Sequence, residues 1–298
     1  MKILIIGSDS FIAQKFVCYS DINLLQGISR TKVQTNCDIV IKDFFKIDEY
    51  FFEGMDIIIN FAAIVHRPDI KDPDIYNEVN HKLTIINAKK AKNAGVKLFI
   101  QMSTIAVYGN SQNISINSRY QPQTPYGISK LRADEELLSI QDDHFKVAII
   151  RPPMVYGGGK APGNMLRLIN LANKGIPLPF KGINNKRDFI HVNNLIQYLS
   201  IIAEKQLDGI HLISDHQPVS TEYLLNTISK YLDKKVPLIK IPKIGLKLLK
   251  KFRPKDYEKL FGSITIETNF PFENLINRHS VEEGISEMIE WYTSNKKS

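Results

Sequence analysis

Residues 3 to 13 read ILIIGSDSFIA, an apolar run that stops at a glycine and resumes with helical spacing. Residues 3–6 offer no polar side chain to either face, the pattern of a parallel strand covered on both sides. Gly7 lets the chain turn sharply off that strand. The amides after it and the N-terminus of the following helix are then placed to hold a pyrophosphate. Such a loop usually has three glycines, and here only Gly7 is present. Ser10 stands where a phosphate would approach the backbone, and Ala13 where the helix packs on the sheet. Gly7, Ser10, Phe11 and Ile12 are the candidate contacts. The plainer alternative is a strand, turn and helix capped by Ser8 or Asp9.

Outward from this point, short β-rich runs alternate with helical patterns, the order of a parallel sheet with helices on both faces. Strands are expected at 25–29, 38–42, 56–61, 98–103 and 146–151. A helix is expected over 74–94, stopped by Gly95. Right-handed crossovers between such units give an α/β, doubly wound parallel sheet, with ligands at the carboxyl ends of its strands. After Arg151 the texture changes. Residues 152–186 are rich in Pro and Gly around one helix near 165–173, a strand and helix return at 187–204, and a further strand falls at 210–213. An amphipathic helix at 281–292 closes the chain. The expected organisation is a dinucleotide-binding domain of residues 1–152 and 187–213. A smaller lobe of 153–186 and 214–298 would lie over the carboxyl edge of the sheet.

The 298 residues suffice for a large buried core, and 43% hydrophobic with 23% charged residues is ordinary for a soluble protein. No apolar run approaches the roughly 18 residues that span a bilayer. The start, MKILIIGSDS, reads as a buried strand and not as a signal peptide. Cys18 and Cys37 lack metal-ligand spacing and read as small core residues, which fits a reducing cytoplasm. The net charge of +8 reads as spread along the chain, favouring anionic partners in general. Zinc-finger spacing, an aromatic-basic RNA signature and a polybasic tail are all missing, which argues against nucleic acid.

The second strand ends at Gly27-Ile28-Ser29-Arg30, about 20 residues beyond the loop, where an NAD enzyme places Asp or Glu on the ribose. Ser29 and Arg30 suit a 2′-phosphate, so NADP(H) is the preferred cofactor and NAD the alternative.

Residues 124 to 130, TPYGISK, place Tyr126 one helical turn before Lys130. Asn60-Phe61-Ala62-Ala63 ends the fourth strand, Ser103-Thr104-Ile105-Ala106 the next, and Arg151-Pro152-Pro153-Met154 the strand after the Tyr126 helix. In order and spacing these stretches resemble the extended short-chain dehydrogenase/reductases, with a Rossmann domain and a smaller C-terminal substrate lobe. Within them the likeness is to the nucleotide-sugar epimerase/dehydratase family, over essentially the whole chain. That resemblance implies a catalytic triad of Thr104, Tyr126 and Lys130.

The chemistry asks for those residue types. A free phenol has a pKa of about 10, and lowering it by about three units needs about 4 kcal/mol. A lysine ammonium at about 4 Å supplies a term of that order at an effective dielectric near 20. Lys130 is therefore expected to lower the Tyr126 phenol and to bind the nicotinamide ribose, while Thr104 bonds the sugar oxygen.

The resemblance further implies cofactor contacts from Asp43, Phe44, Phe61, Ala62, Ala63, Asn80, Ser103 and Pro152. It implies contacts to a UDP-sugar from Asn164, Phe180 and Arg187, with Arg187 on the diphosphate. Met154 stands where the epimerases often have asparagine, and His66 could face the sugar. The family's 4,6-dehydratases usually carry Asp-Glu after the catalytic threonine, and Ile105 and Ala106 stand there instead. That leaves a 4-ketoreductase or a 4-epimerase.

The stretches FKVAIIRPPMVYG, APGN and INNKRDFIHV most resemble capsule and O-antigen enzymes that reduce a UDP-4-keto-6-deoxy-N-acetylhexosamine with NADPH. That reduction, for surface polysaccharide synthesis, is the expected activity. The alternatives are a 4-epimerase with tightly bound NAD and a non-enzymatic NADP-binding sensor or scaffold. No metal is expected, and the resemblance allows a homodimer. Residues 243–253, KIGLKLLKKFR, form a basic amphipathic stretch, read as a lobe helix packed inward in preference to one lying on a membrane.

Overall fold

A computed structural model describes residues 1–19, 25–32, 38–65 and 72–295. Its centre is a seven-stranded parallel sheet. In chain order the strands are β1 (Ile3–Ile6), β2 (Leu25–Ser29), β3 (Asp38–Val40), β4 (Ile57–Asn60) and β5 (Leu98–Met102). A short β6 (Asn113–Ile114) lies outside this sheet, which continues with β7 (Lys146–Arg151). Then come β8 (Met154–Tyr156) and β9 (Phe189–His191), a parallel pair of their own, and β10 (Gly209–Leu212) at the sheet edge. The last strand, β11 (Thr265–Ile266), pairs with β6. The spatial order β3-β2-β1-β4-β5-β7-β10 reverses direction between β1 and β4. A crevice opens at that reversal, outside the carboxyl ends of the strands.

β1 shows why the opening residues must be apolar throughout. Ile3 and Ile5 enter one core, with Phe16 of helix α1 (Phe11–Tyr19) and Leu195. Leu4 and Ile6 enter the other, with Phe52, Ala88 and Leu137. A strand alternates its side chains between faces, so helices on both faces demand hydrophobes at every position.

The helical stretch expected over 74–94 is not uniform. Helix α2 (Asp74–Asn77) runs into one widened π turn, Glu78–Lys82, before α3 (Leu83–Asn93). Gly95, at φ +80°, ends it as expected, in the left-handed conformation that glycine adopts without strain. Helix α4 (Pro125–Ile140) carries the Tyr126–Lys130 pair. Beyond β8 come α5 (Asn164–Asn173) and α6 (Val192–Lys205). Residues of α6, Leu195 and Leu199 among them, share a core with Phe16 of α1 on one sheet face. Helices α7 (Thr221–Tyr231), α8 (Lys243–Phe252), α9 (Pro254–Phe261) and α10 (Val281–Ser294) follow. With α5 they surround a third core, which includes Met165, Leu225, Phe261 and Ile285. Among the described residues, no helix is long and apolar enough to cross a membrane.

Candidate active site

A cleft of about 570 Å³ opens over the β1–β4 reversal. Its floor is made by close backbone approach. Gly7 has φ +82°, and a Cβ there would stand 2.8 Å from the amide nitrogen of Ala62. Only glycine fits. Ala62 is fixed in turn, because its N–H donates to Asn60 Oδ1 at 3.2 Å, while Asn60 Nδ2 donates to Gln101 Oε1 at 2.8 Å. Ser10, Phe11 and Ile12 line the cleft on one side, and Phe61, Ala62 and Ala63 on the other.

At the opposite end the start of α4 is pressed against the turn after β5. The Thr124 hydroxyl accepts from the Gly127 N–H at 3.1 Å, and Pro125 takes the first position, where its missing N–H is harmless. A Cβ on Gly127 would meet the Ala106 carbonyl oxygen at 2.9 Å. That contact brings Tyr126 beside Thr104 in the cleft wall, near enough for the threonine hydroxyl to favour the phenolate. Thr104 also accepts from the Ala106 N–H at 3.2 Å. Ser103, Thr104, Tyr126 and Pro152 all line this end of the cleft.

Lys130 lies one turn beyond Tyr126, buried, and its ammonium has no hydrogen-bond partner among the described residues. One further turn on is Asp134, fully buried. It accepts from Ser103 Oγ at 2.6 Å and pairs with Arg151 Nε at 3.0 Å. The Arg151 guanidinium also donates to Tyr108 Oη at 2.8 Å and lies over the Tyr120 ring at 4.7 Å. Burial pulls Lys130 down to about 8, opposed by Asp134. Desolvation also pushes the partly buried Tyr126 phenol up to about 12, opposed by the Thr104 hydroxyl. The expectation that Lys130 lowers the phenol is corrected here: desolvation disfavours phenolate, and the lysine is itself driven toward its neutral form.

Other expected residues fall in two groups. Arg30, Asp43 and Phe44 line the cleft, with the Arg30 guanidinium 6.0 Å from the Phe44 ring centre. Ser29 does not. It is fully buried and its hydroxyl donates to the Thr31 carbonyl at 2.7 Å, so it offers nothing to a phosphate. Lys42 stands in the cleft wall instead, a cation that the sequence reading passed over although it immediately precedes Asp43.

Asn80, in the π turn, is buried behind the wall. Its Oδ1 accepts from the Ile64 N–H at 2.7 Å, and its Nδ2 donates to the Ile64 carbonyl at 3.0 Å and to Ser129 Oγ at 3.1 Å. It shapes the wall that Ile64 and Val65 present.

Of the expected substrate contacts among the described residues, Thr104 alone lines the cleft. Met154 is partly buried against the third core, and Asn164 is exposed at the start of α5. Phe180 is buried in that core, with its ring 5.5 Å from that of Phe261. Arg187 donates to the carbonyls of Gly262 at 2.9 Å and Glu258 at 3.1 Å, at the end of α9. His66 lies outside the described residues.

Comparison with known proteins bears on this geometry. The sequence profile of the NAD dependent epimerase/dehydratase family matches residues 8–212. A UDP-glucose 4-epimerase of Vibrio cholerae is 32% identical over 232 residues, which are 74% of this chain and 70% of the relative. An N-acetyl-alpha-D-glucosaminyl-diphospho-ditrans,octacis-undecaprenol 4-epimerase of Escherichia coli O157:H7 is 24% identical over 253 residues, covering 81% of this chain and 75% of the relative. Among solved structures, MoeE5 in complex with UDP-glucose and NAD superposes with a TM-score of 0.77 at 21% identity, covering 100% of both chains.

Proposed function

Because the chain belongs to the NAD dependent epimerase/dehydratase family, we propose that it inverts C4 of a UDP-sugar with NAD held in the cleft. The observation that carries this reading is the meeting of Tyr126 and Thr104 at one cleft wall, with Lys130 one turn behind. The two positions that follow Thr104 are Ile105 and Ala106, which exchange no protons. Such a site moves one proton on one oxygen, as 4-epimerisation requires. Two of the relatives are named as 4-epimerases.

The residues present fit a dinucleotide. Gly7 leaves room for a backbone-to-pyrophosphate contact, and the unpartnered Lys130 ammonium suits the ribose hydroxyls. Residues 61–63, which line the cleft, would border the cofactor there. When bound, the nicotinamide supplies a hydride acceptor and donor for C4. Thr104 holds the C4 oxygen by a hydrogen bond. Tyr126 accepts its proton as C4 is oxidised and returns it as C4 is reduced. Without cofactor the phenol is protonated at neutral pH, so its turn as a base rests on what the loaded site adds.

A second reading has its own observation. Arg30 and Lys42 line the cleft, and β2 ends without a carboxylate. Two cations there favour a 2′-phosphate, hence NADPH and reduction of a UDP-4-keto-6-deoxy-N-acetylhexosamine, with Tyr126 donating its proton to the C4 oxygen. The test is to incubate the purified protein with UDP-glucose and UDP-N-acetylglucosamine plus NAD, and to follow the C4 epimers by NMR. Epimer formation supports the first reading. No epimer, but NADPH oxidation on the 4-keto sugar, replaces it with the second. Neither activity would reject both.

A further inference from the structure

The excess charge of this protein is not evenly spread, contrary to the sequence reading. Residues 234–259 hold ten Lys or Arg and two Asp or Glu, an excess of eight that equals the net charge of the whole chain. Helix α8 lies in the middle of this segment, and α9 packs against it. Leu246 and Leu249 face the core of the lobe, so one side of α8 is moored inward as expected. The other side is not covered. Ile244 is 70% exposed, Leu248 49% and Phe252 71%, and they recur every four residues along one stripe. Lys243, Lys247 and Lys251 recur at the same spacing along the edge of that stripe, all exposed. Among the described residues the ion pairs here are Lys250 with Glu258 at 3.9 Å and Arg253 with Asp256 at 2.8 Å, and those three lysines join neither.

We propose that this face of α8 docks on a membrane surface containing anionic lipid. Ile244, Leu248 and Phe252 would enter the boundary between headgroups and acyl chains, with Lys243, Lys247 and Lys251 on the lipid phosphates. The charge selects this occupant. A second copy would set the same cationic segment against itself, which repels. A nucleic acid would take the lysines but leave an isoleucine, a leucine and a phenylalanine in water. An anionic bilayer satisfies both kinds of side chain at once.

The experiment is co-sedimentation of the full-length chain with vesicles of phosphatidylcholine alone, or of phosphatidylcholine with phosphatidylglycerol. Salt is held at about 150 mM, where the Debye length is about 8 Å. Two variants are run beside the wild type: I244S/L248S/F252S, which keeps every charge, and K243E/K247E/K251E, which keeps the apolar stripe. Both alter exposed positions, and their circular dichroism and Tm should match the wild type. The expected result is binding to the mixed vesicles only, weakened at least about tenfold by either variant. No binding to the mixed vesicles would overturn the proposal. So would binding that the serine variant leaves unchanged, since this would be charge attraction without the helix face. A dimer broken by the serine variant, without vesicle binding, would reject the membrane in favour of a second copy.

Discussion

Lys130 and Asp134 stand one turn apart on the buried face of α4, yet the Asp134 carboxylate is hydrogen-bonded to Ser103 and Arg151 and not to the lysine. Asp134 therefore acts on Lys130 through space, favouring its charged form while leaving the ammonium unoccupied. Placed so, Asp134 is a positioning residue for the charge of Lys130.

That arrangement predicts how cofactor binding depends on pH. In the empty protein Lys130 holds its proton below about pH 8. Above it the lysine loses both its charge and a hydrogen-bond donor. Affinity for the dinucleotide should thus fall as pH rises through about 8, measured by fluorescence titration of cofactor-free protein. Lys130→Met should bind weakly at all pH values, with that inflection gone.

Replacing Asp134 tests the through-space effect. Asp134→Asn removes the influence that raises Lys130, so the inflection should move to lower pH. It also leaves Arg151 buried without its counter-charge, at a cost of about 3–5 kcal/mol, read as a lowered Tm. A merely structural role would lower Tm and leave the inflection in place.

Tyr126→Phe removes the hydroxyl and little else. Turnover should drop by about 10²–10⁴-fold, with dinucleotide affinity near the wild-type value. Unchanged turnover in a standard coupled assay would remove Tyr126 from the mechanism.

Gly7→Ala places a methyl against the Ala62 backbone at a positive φ. Left-handed backbone alone costs a non-glycine residue about 1–2 kcal/mol, and the clash adds to it. The expected outcome is a lower Tm together with loss of measurable cofactor binding, by calorimetry.

Arg30 and Lys42 divide the two cofactors. If they hold a 2′-phosphate, the Arg30→Ala and Lys42→Ala double variant should lose NADPH affinity by at least about tenfold, since a hydrogen bond to a charged group contributes about 1.5–3 kcal/mol. NADH affinity should change little. Equal losses for both would show that the pair does not read the phosphate.

Much of this was legible in the sequence, for reasons specific to each element. β1 and β5 were readable because both of their faces are buried. Tyr126 and Lys130 were readable because one helix sets their spacing. Asp134 was not, since an acid in a helix looks like a surface residue until Arg151, 17 residues on, is seen beside it. The direction of the Ser29 hydroxyl depends on the turn after β2, which has no sequence signature. The π turn around Asn80 likewise left no mark in the residue pattern. The shift of the Tyr126 phenol was misread because charge could be counted from the sequence, whereas burial could not.

The Lys130 ammonium, without a hydrogen-bond partner among the described residues, has a consequence beyond chemistry. An ion kept from water without a bonded counterpart is a standing debit in the folded state, and a ligand that bonds it should shift the folding equilibrium in favour of the loaded form. Empty molecules would then open more often and meet proteases sooner, so the amount of this protein in a cell should follow the supply of its dinucleotide.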